Sequence, residues 1–334
     1  MSASLVITVD TEPDDQWAPP GPGGRLPPFT FANTRGLGRL KDFLHELGAP
    51  VTWMTSYAVA RDPESAQVLR QAAAEGDEIA GHLHGWETPP FTEVDRTHRP
   101  FLYEYPEDVR FAKHASLVAA HEEAFGARPF SYRAGRWGLD ATEYEHLEAL
   151  GYGIDSSIPP GIDFRDRSGL RRTGPDFRRW LTGAPPRPFR VGGLWEVPVS
   201  ITPVGRLGSG ALAAGLSRVC GARHRPSSPG RAVGRVLEAA GVVRLVWVRP
   251  LKHPRADLVR AALSLVERGA PILNVMFHSS EAFAGTSPIS RRPEDVERLF
   301  GDLAAIVRAA AGTGRVMPRT LREAVAAFPH GAPV

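Results

Sequence analysis

From residue 5 to about residue 157, short apolar runs alternate with amphipathic ones, and this alternation limits the fold more than any other feature of the chain. Leu5–Val9 is uninterrupted and rich in β-branched residues, the pattern of a strand buried on both faces. Leu37, Leu40, Phe43, Leu44 and Leu47 then recur at helical spacing, and Gly48 closes that run. The same order continues: Val51–Tyr57 as strand, Glu64–Glu75 as helix, Glu78–Ala80 as strand, Pro106–Phe125 as helix, Phe130–Arg133 as strand, Ala141–Leu150 as helix, Tyr152–Asp155 as strand. His114 and His121 read as ordinary residues of the long helix. Strands joined through helices pair in parallel, because only a crossover returns the chain in the same direction. An α/β fold with a parallel sheet follows.

The pattern weakens between Pro159 and Gly241, where Leu194–Ser200 reads as a strand and Ala211–Val219 and Ala232–Ala239 as short helices. It returns with strand Val242–Val248, helix Ala256–Glu267, and strand Pro271–Phe277 leading into His278; helices Pro293–Ala310 and Thr320–Ala327 follow. No repeat and no linker divides the chain, so residues 1–334 read as one domain with an irregular insertion around 160–240.

In α/β barrels the chemistry collects at the C-terminal ends of the strands. Here those ends carry Asp10-Thr11-Glu12, His82-Leu83-His84, Arg133, Asp155 and His278. Two histidines at i and i+2 on extended backbone point to one side, and imidazole is the commonest ligand for zinc-like ions. A metal held by three protein groups, a carboxylate beside it and a histidine opposite make the inventory for metal-assisted amide hydrolysis. A second, less favoured reading of Asp155 is the cap of a turn with Ser156 and Ser157.

The formal net charge of +3 over 334 residues argues against nucleic acid as the main partner. A single cysteine, Cys220, excludes an intrachain disulfide. Met1-Ser-Ala-Ser lacks a basic leader, Leu5–Val9 is too short for a signal core, and no apolar run reaches the length of a membrane span. The expectation is a cytoplasmic protein with no integral membrane segment. Residues 218–260 hold ten Lys or Arg against Glu238 and Asp257. They read as a solvated face, with attraction to anionic lipid or phosphate as the sharper alternative.

Taken in order, these strand ends resemble the polysaccharide deacetylase family, the NodB-homology domain of carbohydrate esterase family 4. Thr8-Val9-Asp10-Thr11-Glu12 resembles its first motif, usually Thr-Phe-Asp-Asp-Gly. Gly81-His82-Leu83-His84-Gly85-Trp86 resembles its metal-binding histidine motif, and Arg133-Ala134-Gly135-Arg136-Trp137 its arginine motif. Asp155-Ser156-Ser157 and Val275-Met276-Phe277-His278 resemble the last two. The resemblance covers about residues 3–281, apart from the insertion.

It implies a distorted (β/α)7 barrel and a hydrolase that removes an acyl group, typically acetyl, from the nitrogen of an amino sugar or related carbohydrate amide. One divalent ion, zinc, would be the cofactor, and an N-acylated sugar or glycan intermediate the partner. Asp10 would be the base, paired with Arg133; His278 would be the acid, paired with Asp155; His82 would be a metal ligand. Where the family has a second Asp and a second His four residues on, this chain has Thr11 and Trp86, so Glu12 and His84 are expected to complete the ligand set, with Asp10 in reserve. Trp86 and Trp137 are expected to wall the substrate, or else to lie in the core. Two other readings stay open: an amidohydrolase acting on a non-sugar amide, and a carbohydrate-binding pseudoenzyme whose metal site has decayed.

Overall fold

The computed structural model describes residues 2–16, 25–165, 174–220 and 229–328, without side chains for 219–220 and 229–232. Its strands are β1 (Ala3–Thr11), β2 (Val51–Ser56), β3 (Glu78–Leu83), β4 (Ser131–Ala134), β5 (Ile154–Asp155), β6 (Phe189–Val191), β7 (Leu194–Glu196), β8 (Ile201–Val204), β9 (Arg244–Trp247), β10 (Ile272–His278) and β11 (Val316–Pro318). Strands β10, β1, β2, β3, β4, β5 and β7 lie side by side in that order, every pair parallel. β6 adds an antiparallel edge, and β11 pairs with the start of β1. Helices cover the outside of this curled sheet, which makes a distorted (β/α)7 barrel.

The first strand shows how the barrel works. Alternation on extended backbone sends odd and even residues to opposite faces. Leu5, Ile7 and Val9 point out into the helix layer, where they meet Val275 and Phe277 of β10 and Leu303 and Ile306 of helix Pro293–Gly312. Val6 points inward and packs with Met54, Ala80, Ile154 and Leu321, the last from the helix Leu321–Ala326 that plugs the barrel floor. Each such aliphatic side chain removed from water contributes about 1.5–3 kcal/mol. Above this floor the inward residues turn polar: Thr8, then Asp10.

Two differences from the sequence expectation have local causes. The run Leu194–Ser200 leaves the main sheet after Glu196, at Pro198, which has no amide proton to continue the ladder. The chain resumes as β8, paired antiparallel with β9, and is tied to β10 where Ser200 N donates to Asn274 O at 3.0 Å. Strands β6 and β11 span three residues each, too few for a period-two pattern to be readable.

The loop after β3 is held from below by a buried lysine. Lys113, on helix Glu107–Phe125, donates from Nζ to the carbonyl oxygens of Gly85, Thr88 and Pro90, each at 2.8 Å, and lies 3.4 Å from Asp95 Oδ2. Burial lowers the pKa of this ammonium from its usual value, and the Asp95 carboxylate pulls it part of the way back. Replacing Lys113 with Met is expected to strip the carbonyls of Thr88 and Pro90 of their donor and to leave buried Asp95, which keeps its bonds from Thr92 and Tyr105, without its cation, at a cost of about 3–5 kcal/mol. A urea midpoint within error of the unsubstituted protein would refute this.

Candidate functional site

Strand alternation and register bring the predicted residues together without long side-chain reach. Asp10 and Glu12 project to one side of β1, while Thr11 points away and donates from Oγ1 to its own strand, to Val9 O at 2.9 Å. Asp10 is the register partner of His278 across β1 and β10, and His82 that of Arg133 across β3 and β4.

Glu12, His82 and His84 converge on one point, and all three are buried. His82 Nε2 lies 3.1 Å from His84 Nε2, His84 Nε2 lies 2.7 Å from Glu12 Oε2, and His82 Nε2 lies 3.6 Å from the same oxygen. Those are the edges of a triangle whose centre an ion at ~2.0–2.2 Å from each donor would occupy. His82 Nδ1 faces Arg133 O at 3.0 Å, the second-ring-nitrogen bond that leaves Nε2 free to ligate. Burial pushes the His84 ring down to about 4 despite its bond to Glu12, so it is neutral near pH 7, as a ligand must be. Burial alone would raise Glu12; the charge of His278 and bonds to His82 and His84 outweigh it and hold the carboxyl far below its usual value. The donor set fits a divalent ion.

Behind the triangle a glycine is obligatory. A Cβ on Gly135 would stand 2.3 Å from His84 Nδ1 and 2.5 Å from Leu83 O. The next two residues, Arg136 and Trp137, have φ of 56° and 62°, a left-handed turn that side chains adopt only under constraint. The tight turn after Arg133 thus lets the His84 ring lie against β4.

Arg133 is fully buried, and its guanidinium makes four hydrogen bonds. It donates to Asp10 Oδ1 at 2.7 Å, Thr8 Oγ1 at 2.9 Å, Ser156 O at 2.9 Å and Ser156 Oγ at 3.0 Å. Burial works against ionised Asp10, but Arg133, His82 and His278 together hold its pKa below the usual range. Oδ2 of Asp10 is left facing His278, whose Nε2 is 3.7 Å away and equally 3.7 Å from Glu12 Oε1.

The partner of His278 differs from expectation. Its Nδ1 lies 3.1 Å from Glu281 Oε1 and 2.9 Å from Arg249 Nη2, and Arg249 itself pairs with Glu281. Asp155 is engaged elsewhere: its carboxylate accepts from Ser157 Oγ at 2.6 Å and Ser157 N at 3.1 Å. That is the turn-capping alternative, and Ser157 Oγ in turn accepts from Ala134 N at 2.8 Å, next to Arg133. Asp155 also faces Glu196 across β5 and β7. Burial raises both carboxyls, and the charge of Asp155 raises Glu196 further, so the pair retains a proton. The pairing of Asp155 with His278 is therefore corrected to Glu281 and Arg249. Glu281 stands three residues after His278 on a helical turn, a spacing that could have flagged it. Arg249 was hidden in the basic run, which is not uniformly solvated: Arg249 is buried, and Arg244, Arg255 and Arg260 sit in ion pairs with Asp257 or Asp302.

Both tryptophans are largely buried. Trp86, 5% exposed, lies over His84 with ring centres 4.3 Å apart, and its Nε1 donates to Gln16 Oε1 at 3.0 Å. It backs the His84 ring. Trp137, 8% exposed, packs on Trp247 and under the Arg133 guanidinium. Glu87 closes the same region, with both carboxyl oxygens buried and lacking a hydrogen bond among the described residues. Burial is the main cause pushing its pKa up to about 8, and Glu12 adds to it.

No protein-family model and no curated protein matches this sequence. Among solved structures, the chain is similar to a Mycobacterium smegmatis protein inferred to be a polysaccharide deacetylase, with 16% identity and a TM-score of 0.52 over 100% of this chain and 95% of the other. It is also similar to a 4-alpha-glucanotransferase from Thermococcus litoralis, with 11% identity and a TM-score of 0.52 over 98% of this chain and 41% of that one. At these identities the likeness concerns the fold.

Two outcomes are expected from this geometry. Gly135→Ala displaces His84 and lowers zinc affinity by about 10–100-fold with the fold retained, measured by calorimetric titration; unchanged affinity would contradict the packing. Glu87 has a raised pKa, so its contribution is complete below its unfolded value of 4.5 and is lost as pH climbs to about 8. Glu87→Gln, neutral throughout, should therefore gain Tm over the unsubstituted protein between pH 5 and pH 8. A gain that is flat or shrinks over that interval would sink the assignment.

Proposed function

We propose that the protein is a hydrolase dependent on one divalent metal, zinc, that removes an acyl group, acetyl in the simplest case, from the nitrogen of an amino sugar or related carbohydrate amide. It would act in the cytoplasm on a sugar or glycan intermediate, as one catalytic domain spanning 1–334 with no part for nucleic acid. One observation carries the reading: Asp10 and His278 flank a single three-donor locus made by Glu12, His82 and His84. Two imidazoles and a carboxylate favour zinc over the hard, oxygen-seeking ions. A zinc ion held there would supply Lewis acidity to the reacting amide.

The chain's own groups divide the proton work. Asp10, kept ionised by Arg133, has Oδ2 available to take a proton from the attacking water. His278 presents Nε2 to the same space; as the imidazolium it donates Nδ1–H to Glu281, and as the neutral Nε2–H tautomer it accepts from Arg249. The imidazolium gives its Nε2 proton to the leaving nitrogen and ends as the neutral Nδ1–H tautomer, with the ring still held by Glu281. Trp137 lies beside Arg133 and packs in the core with Trp247, so in this reading it shapes the site from behind. The carbohydrate part of the reading is supported by the order of the five motifs and by the fold shared with the Mycobacterium smegmatis protein inferred to be a polysaccharide deacetylase.

Acetate released from N-acetylated sugars by zinc-loaded protein tests the reaction; a loaded protein that releases none would overturn the sugar assignment. Glu12→Gln should cut zinc occupancy at least tenfold while Thr11→Val leaves it intact, because a hydroxyl is a poor zinc ligand beside a carboxylate. His278→Ala should keep its metal and lose about 10²–10⁴ in turnover, the usual range for a general acid. Metal loss in His278→Ala would move that histidine into the ligand set.

A further inference from the structure

One other group of ligating side chains converges among the described residues, on the far side of β4. His114 on helix Glu107–Phe125 and Glu143 and His146 on helix Ala141–Ala149 bring one ligating atom each within 4.8 Å of one another, and all three are buried. We propose that they form a second metal site, which takes a zinc-class transition-metal ion and clamps these two helices over the strand that carries Arg133.

The spacing is that of a metal motif. Glu143 and His146, three residues apart, share one face of their helix, and His114 closes on them from the neighbouring helix, as in bundles that hold ions between facing helices. Glu143 is already oriented. Its Oε1 accepts from Arg110 Nη1 at 2.8 Å, which turns Oε2 toward His114 Nε2, 2.5 Å away. A ligating carboxylate whose other oxygen is held by a guanidinium is the usual outer support of a metal site. His146 Nδ1 is buried, has no hydrogen bond, and stands 3.9 Å from Glu143 Oε1. A buried ring nitrogen that faces a carboxylate without reaching it is a group an ion would satisfy.

Charge and donor type agree. Asp140 accepts from Arg110 at 3.0 Å and Glu107 lies 3.9 Å from His146 Nε2, so three carboxylates stand against one guanidinium around the three candidate ligands. That excess of negative charge suits a dication. Two imidazoles with one carboxylate select zinc, cobalt or nickel over magnesium or calcium. The location separates this site from the first: the His114 ring packs on Tyr132, centres 5.2 Å apart, and Tyr132 precedes Arg133 in β4 and so faces the opposite way. The role is structural, and either site can be emptied without touching the other.

The test counts metal in the full chain. The protein is stripped with a chelator, reloaded with zinc or cobalt, desalted and analysed by mass spectrometry for ions per chain, with cobalt absorption as a second readout. Two ions per chain are expected for the unsubstituted protein, one for His146→Gln and one for the His82→Ala, His84→Ala double variant. A metal content that His146→Gln leaves unchanged overturns the proposal, and so does a double variant that holds no ion. Should His146→Gln fail to fold, the double variant decides alone. A single ion that is lost in His146→Gln and kept in the double variant leaves this site standing and removes the strand-end one.

Discussion

A guanidinium withdrawn completely from water needs a carboxylate beside it and acceptors for its remaining protons, and the centre of this molecule is built to supply them to Arg133. Asp10 provides the charge, Thr8 and Ser156 the other acceptors, and these residues come from β1 and from the turn after β5. The pair therefore ties strands far apart in sequence across the mouth of the barrel. Its strength is conditional: removing either partner would leave an uncompensated buried charge, which costs far more than the intact pair contributes. Asn274 joins the same network from β10 through Ser156 and Thr8. The arrangement that holds Asp10 ionised is thus also the one that fixes β1, β4 and β10 against each other.

The convergence of Glu12, His82 and His84 depends on this frame at one remove. His82 is oriented by the carbonyl of Arg133, and His84 fits only because Gly135, two residues further on, lacks a side chain. Trp86 presses on His84 from the other side, and Lys113 gathers the carbonyls of the loop that carries it. A ligand set that departs from the usual spacing is compatible with this backbone because the i, i+2 histidines and the i, i+2 acids each lie on extended chain. The second histidine of the candidate set comes from the strand end itself, and Trp86, two residues on, packs against its ring.

The buried carboxylates show how alike residues acquire different tasks. Asp10 is drawn down by the Arg133 guanidinium and Glu12 by the charge of His278 and its bonds to His82 and His84, whereas burial, with Glu12 adding to it, pushes Glu87 up, and burial raises both carboxyls of the Asp155–Glu196 pair. The aspartate that caps Ser157 supports Arg133 through the backbone of Ala134, and the acidic neighbour of His278 is Glu281. Both acids stand near the site, and their partners separate them.

The alternation of strand and helix, the polar residues at the strand ends and the same-side placement of Asp10 with Glu12 and of His82 with His84 were all readable in the sequence, because each follows from local periodicity. So was the opposite facing of Thr11, which bonds back to its own strand while Glu12 meets His84. Periodicity says nothing about which distant groups meet. The turn of Asp155 to Ser157 and the spacing of Glu281 from His278 are local, but which of these acids serves His278, and that Arg249 joins it, depends on how the strands pack. Arg249 looked like one cation in a basic run because charge along a chain does not reveal burial. Likewise His114 carried no sign of Glu143 and His146, since two helices joined through a strand declare their facing sides only once packed. The chain by itself determined the barrel and the chemical character of its rim; the tertiary structure decided the pairings, because Asp10 meets Arg133 across 123 residues and His278 meets Arg249 across 29, and because burial is created only by packing.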